Sequence, residues 1–272
     1  MDLVQAIILG LVQGATEFLP ISSSGHLFLI PAFAGWEDAG AGFTAVIQLG
    51  TLLAVFIYFW RDLAETTSGW ISGLSNMELR DSQAWRLGNG ILLGSIPIAL
   101  AGLLLESEID TAFRSPYIIA ATLAGFGLLM GLADWKGKRT REISNFKIKD
   151  GLIMGLWQCL ALIPGSSRSG CTITGGLFAG FDRATAARAS FLLSVPSIFG
   201  SGVYKLIKER DNLLGEGLIP TIVSTSVAFL SGWLAIAFLM KFLQTRSTAL
   251  FVAYRVILAG VTVLFAMNQM SA

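Results

Sequence analysis

Five polar side chains stand where the surrounding chain is apolar, and their types suit work on an anion. Gln13 and Glu17 are four residues apart, which puts them on one face of a helix. Pro20 ends that helix. Ser22, Ser23, Ser24 and Gly25 form a break, and a second short helix is expected to begin there, with Ser23 and His26 on a shared face. His26 is the only histidine of the chain. The fifth residue, Arg168, lies in a second interruption, Pro164-Gly165-Ser166-Ser167-Arg168-Ser169-Gly170-Cys171-Thr172. Ser/Gly-rich backbone at a helix N-terminus offers unpaired N–H groups and the positive end of a dipole, both suited to phosphate. A guanidinium among hydroxyls and glycine amides suits bidentate phosphate binding. A single histidine is often only a hydrogen-bonded structural residue. A buried arginine needs a counter-ion. Glu17 or an anionic ligand could supply it, and a Glu17–Arg168 pair joining two parts of the chain is compatible with an anion site.

The elements that must hold these residues are membrane helices. Hydrophobic residues make up 54% and charged residues 14% of the 272 residues, with a mean hydropathy of +0.68. Soluble domains carry about 25% charge. The net charge of +1 and the lack of a basic patch argue against nucleic acid as a partner. Met1-Asp2 has no basic n-region, so no cleavable leader is expected. Cys159 and Cys171 sit among apolar residues and are expected to be buried free thiols. A span needs about 20 apolar residues. Phe43–Trp60, Leu87–Leu105, Tyr117–Asp134, Ala189–Ile207, Leu218–Met240 and Ala249–Met267 qualify. Arg255 and Glu106, in or near spans, read as interhelical or snorkelling residues. Trp36, Trp60, Trp70, Trp85 and Trp135 suit interfacial belts.

Residues 2–34 and 150–181 do not read as simple spans. Each is cut by proline, glycine and serine into pieces of roughly 10–17 residues, short enough for a re-entrant segment. The two also match. Gly10-Leu11-Val12-Gln13 and Gly155-Leu156-Trp157-Gln158 lie 145 positions apart, and each leads to a proline and a Ser/Gly cluster. Paired, interrupted segments point to a site on an inverted repeat. The expectation is an all-α polytopic membrane protein with about six transmembrane helices and two re-entrant helical hairpins. It is one domain, 1–272, whose halves, near 1–134 and 135–272, form an inverted-topology repeat. In that topology thirteen Lys/Arg of the connectors fall on one side, and Arg114, Lys205, Lys208 and Arg210 on the other. The richer side is then cytoplasmic and the termini lie outside.

Together these residues resemble the undecaprenyl-pyrophosphate phosphatase family, the bacitracin-resistance type of bacterial membrane phosphatase. Gln13 to Glu17 matches its (Glu/Gln)-x-x-x-Glu motif, and Phe18 through His26 its Phe-Leu-Pro-x-Ser-Ser-x-Gly-His run. Pro164 to Thr172 matches Pro-Gly-x-Ser-Arg-Ser-x-x-Thr at every fixed position. Gln13 stands where the family also allows Glu, so position 13 is not offered as an acid or base. The resemblance implies hydrolysis of a C55 isoprenyl diphosphate to its monophosphate and inorganic phosphate. That step recycles the carrier of peptidoglycan precursors and removes the target of bacitracin. The resemblance also implies a divalent cation, Mg²⁺ or Ca²⁺, and a bacterial inner-membrane location.

On this reading Ser22, Ser24, Gly25, Gly165, Ser167, Arg168, Ser169 and Thr172 hold the diphosphate. Gln13 and Glu17 bind the cation, or Glu17 acts as base. Ser23 is the candidate nucleophile, activated by Glu17 or His26; His26 could instead protonate the leaving phosphate or activate water. The charge count turns the site toward the outer side. The competing expectation is a transporter or flippase of an anionic or lipid-phosphate substrate on the same repeat. Small-residue faces permit a homodimer as readily as ordinary bundle packing.

Overall fold

The apolar runs form helices, and Pro31, Pro97 and Pro196 lie inside them without ending them. The computed structural model describes residues 1–105, 115–208, 210 and 217–271. Glu106 and Arg114 lie outside the described residues. Eleven α-helices form among these: α1 Leu3–Phe18, α2 Ser23–Ala34, α3 Gly40–Tyr58, α4 Trp60–Ser75, α5 Gln83–Leu104 and α6 Pro116–Lys136, then α7 Ile148–Cys159, α8 Arg168–Phe178, α9 Arg183–Lys208, α10 Leu218–Thr245 and α11 Ala249–Ser271.

Five helices, α5, α6, α9, α10 and α11, are long and apolar enough to cross a membrane. The sixth expected span is α3. At Phe59 the chain bends by 79° into α4. The reason is compositional: Arg61, Asp62 and Glu65 follow the break, and charged side chains cannot continue an apolar span. The two interrupted regions become helix pairs of the expected short lengths, 16 and 12 residues for α1 and α2, 12 and 11 for α7 and α8. Cys159 and Cys171 are free thiols; Cys171 is buried and Cys159 only partly so.

Without a strong hydrophobic force between helices in lipid, close approach at small residues holds a bundle together. That device recurs here. A Cβ placed on Gly151 or Gly155 of α7 would collide with the backbone of Gly90 or Gly94 of α5. Likewise Gly10 and Gly14 of α1 lie against the backbone of α10, where Ser224 Oγ donates to the Ala6 carbonyl at 2.7 Å. Each short first helix thus packs on a long helix from the other half of the chain, α1 on α10 and α7 on α5. The helices α3 and α9 pack on each other, as do α6 and α11. At one end Asp134 links α6 to the starts of α9 and α11: it accepts from Arg183 Nε at 2.6 Å, and from Thr248 N and Oγ1 at 2.8 and 3.0 Å.

Gly155→Ala should therefore force α5 and α7 apart and lower stability by about 1–3 kcal/mol. Gly125→Ala, where an added Cβ meets nothing within 4 Å, should leave stability unchanged. Thermal unfolding in detergent measures both, and equal behaviour of the two variants would contradict this packing.

Candidate active site

The two breaks are built by one local device. Ser22 and Ser167 are the N-caps of α2 and α8, and both adopt a positive φ, 76° and 71°. Such a φ is uncommon for a residue with a side chain. Each cap hydroxyl accepts from the amide three residues on, Gly25 N at 3.2 Å and Gly170 N at 3.1 Å. The same hydroxyls lie 3.3 and 3.2 Å from those of Ser24 and Ser169. The breaks also meet: Gly165, at φ 90°, packs against Ile119 and Thr122 of α6, and its N–H donates to Ser24 Oγ at 3.4 Å.

This device puts Ser23 and Arg168 at equivalent places, the first residue of α2 and of α8. Both reach the same carboxylate. Ser23 Oγ donates to Glu17 Oε2 at 2.6 Å, and Gln13 Nε2 donates to that oxygen at 2.8 Å. The Arg168 guanidinium pairs with Glu17 Oε1. Gln13 is fully buried and Glu17 nearly so. Arg168 is 16% exposed at its side chain, so the cluster is not fully sealed. A pocket there is lined by Glu17, Phe18, Arg168, Ser169, Ser190, Phe191 and Ser194. A carboxylate, a hydroxyl hydrogen-bonded to it and a cation stand together, and the carboxylate and the cation line that pocket.

The remaining site residues fall into two groups. The hydroxyls of Ser22, Ser167, Ser169 and Thr172 are engaged inside the protein. Ser169 Oγ donates to the Leu19 carbonyl at 3.3 Å. Thr172 Oγ1 donates to the Arg168 carbonyl at 2.8 Å and lies 2.5 Å from Ser190 Oγ. They shape the breaks and, through them, aim Ser23 and Arg168. His26 is buried on α2, bonded through its two ring nitrogens to the Ser22 carbonyl and to Tyr254 Oη. Among the described residues neither nitrogen reaches Ser23 or Glu17, so the partner of Ser23 is Glu17.

Arg255 has a larger part than a snorkelling residue. It is fully buried and, among the described residues, makes no carboxylate pair. Its guanidinium donates to five carbonyls: Leu123 at 2.9 Å, Pro20 at 3.2 Å, Thr122 at 3.1 Å, Gly165 at 3.0 Å and Ser166 at 2.9 Å. Pro20 belongs to the first break, Gly165 and Ser166 to the second. The interhelical alternative is therefore the one realised. Its signal in the sequence was a lone charge inside the apolar run of α11. Gln48 of α3, 3.5 Å from Arg168 Nη2, and Tyr254 of α11 carried no such signal.

The model of the family described as bacitracin resistance protein BacA matches residues 6–261. The chain belongs to the BacA family. It is 49% identical over 273 residues to the undecaprenyl-diphosphatase of Prosthecochloris aestuarii, covering 97% of this chain and 96% of that one. It is 50% identical over 264 residues to the protein of the same name from Thermobifida fusca, covering 97% and 90%. Membership covers α1 through most of α11, so both breaks and Arg255 fall inside the BacA match.

The donors also suit a divalent cation of the hard type. No group of three or more His, Cys, Asp or Glu side chains exists among the described residues, so the protein builds no closed cage there. What it offers is one carboxylate, Glu17, beside Gln13, whose Oε1 is buried without a partner. Mg²⁺ commonly takes one or two carboxylates and completes its shell with phosphate oxygens and water, and this donor set fits that habit.

Arg255→Lys should cost at least about 3 kcal/mol, because a lysine cannot replace five charge-assisted bonds to carbonyls. The measurement is thermal stability of purified protein in detergent, and an unchanged midpoint would refute the role of Arg255 as the tie between the breaks.

Proposed function

We propose that this protein hydrolyses undecaprenyl diphosphate to undecaprenyl phosphate and inorganic phosphate, regenerating a lipid carrier for cell-wall precursors. The observation that carries the reading is the meeting of Ser23, Glu17 and Arg168 at the junction of two helix breaks. Removing the diphosphate would also take away the target of bacitracin, in keeping with the family's description. A transporter on the same core would have no use for a hydroxyl hydrogen-bonded to a buried carboxylate beside the anion-binding arginine.

Phosphoryl transfer asks mainly for positioning and for neutralisation of charge on the phosphoryl oxygens. Arg168 supplies the charge. When the diphosphate arrives it competes with Glu17 for the guanidinium, which frees the carboxylate to act as a base. Glu17 Oε2 then takes the proton of Ser23, whose oxygen attacks the terminal phosphorus as the bond to the lipid monophosphate breaks. Water hydrolyses the resulting phosphoserine. His26 is the group available to move a proton to or from the leaving phosphate or the water. A divalent cation held by Glu17 and Gln13 would neutralise the diphosphate further. The halves of the chain are read as an inverted repeat; the matching breaks and the exchanged packing of α1 and α7 support this. The distribution of Lys and Arg supports an inner-membrane protein whose site faces the outer side.

Purified protein should release inorganic phosphate from undecaprenyl diphosphate in detergent with Mg²⁺ or Ca²⁺, and lose that activity in EDTA. Absence of release with either cation would sink the hydrolase reading. Arg168→Ala and Glu17→Ala should each lower kcat/KM by about a hundredfold or more, the scale of one lost transition-state contact. Ser23→Ala should do the same and abolish labelling of the protein by substrate carrying a radioactive terminal phosphate. Full activity of Ser23→Ala would hand the attack to water.

A further inference from the structure

The ring of His26 is fixed at both nitrogens, and one of its two holders lies far away in the chain. Nδ1 is 2.7 Å from the carbonyl oxygen of Ser22, and Nε2 is 2.6 Å from the hydroxyl of Tyr254. A carbonyl can only accept, so Nδ1 carries a proton. The neutral ring then has its lone pair on Nε2, where Tyr254 must be the donor. The two rings lie within 8° of parallel, with centroids 5.6 Å apart. Ser22 is itself the positive-φ residue of the first break. A proton can therefore be taken up at Nε2 without disturbing the break, whereas any exchange at Nδ1 would cut the bond that holds the ring to Ser22.

Tyr254 is 42% exposed, although its hydroxyl sits on a buried ring nitrogen. A tyrosine at such a place could leave its hydroxyl to surrounding solvent or headgroups, yet this one is turned inward. It stands next to Arg255, which ties the two breaks together. Adjacent helical residues point about 100° apart, so α11 serves the breaks with one side chain and the histidine with the next.

We propose that Tyr254 is a positioning residue for the diphosphate hydrolysis. The Ser22 carbonyl keeps the proton on Nδ1 and the Tyr254 hydroxyl orients Nε2, the nitrogen through which His26 exchanges protons with the reaction. This rests on the hydrolase reading above, with His26 as a proton-moving group.

Because the chain has a single histidine, ¹⁵N-histidine labelling of the whole protein gives one pair of ring-nitrogen resonances. The wild type should show a protonated Nδ1 and an unprotonated, hydrogen-bonded Nε2. Tyr254→Phe keeps the aromatic ring and removes only the hydroxyl. Its Nε2 resonance should move to that of an unbonded ring nitrogen while Nδ1 stays in place. For phosphate release from undecaprenyl diphosphate, kcat should fall about tenfold with KM unchanged, the effect of one neutral hydrogen bond. In a His26→Asn background the same substitution should cost nothing more, since its effect passes through His26. An unmoved Nε2 resonance, a wild-type kcat in Tyr254→Phe, or an equal loss in the His26→Asn background would each overturn the proposal. Wild-type protein that releases no phosphate would overturn the hydrolase reading and with it the part of Tyr254 in hydrolysis. The nitrogen spectrum would then still report whether Tyr254 sets the histidine, so the two failures are distinguishable.

Discussion

A helix that stops inside an apolar layer leaves carbonyls without partners, and in lipid no water is available to satisfy them. Arg255 answers that constraint. From α11 it gives its N–H groups to carbonyls of both breaks and of α6. A guanidinium suits this because its donors form a fixed, planar fork and its charge is tolerant of many weak acceptors. The carbonyl dipoles take the place of a counter-ion. Since Pro20, Gly165 and Ser166 are bound by the same group, one side chain ties the two breaks together, beside the direct bonds of Gly165 to Ser24 and of Ser169 to Leu19.

Once the breaks are so placed, one turn geometry yields two different outputs. Ser22 and Ser167 cap their helices alike, and the next residue of each projects toward Glu17. In the first half that residue is a serine, a potential nucleophile. In the second it is an arginine, a cation. A single buried carboxylate accepts from both, so two breaks of like geometry hold an asymmetric site. The hydroxyls around it act one step removed. Ser22, Ser167, Ser169 and Thr172 satisfy backbone and neighbouring groups. Through those bonds they set where Ser23 and Arg168 point.

The helices beyond the breaks supply rigidity. Glycines of α7 sit against the backbone of α5, and glycines of α1 against α10. Each broken unit is thereby clamped by a long helix of the opposite half. Within its own half α1 also meets α2 and α3, and α7 meets α8, but the glycine-to-backbone approach of each is to a helix of the other half. The same logic makes the end of the chain part of the site, since Tyr254 and Arg255 arrive on the last helix.

Much of this was legible in the residues. Composition and run length established the membrane helices, and the departures from apolar character at residues 13–26 and 164–172 marked the breaks. The four-residue spacing of Gln13 and Glu17 placed them on one face, where they are in fact bonded. The need of Arg168 for a counter-ion named Glu17 among its candidates. Such inferences hold because helical periodicity and the cost of buried charge act locally or by elimination. The tertiary structure alone decided what depended on distance between remote segments. It gave Ser23 to Glu17 rather than to His26, turned the cap hydroxyls inward, and made Arg255 the tie between the breaks. It also brought Tyr254 to a histidine 228 residues away. No periodicity encodes those pairings, because each is fixed by how separate helices pack.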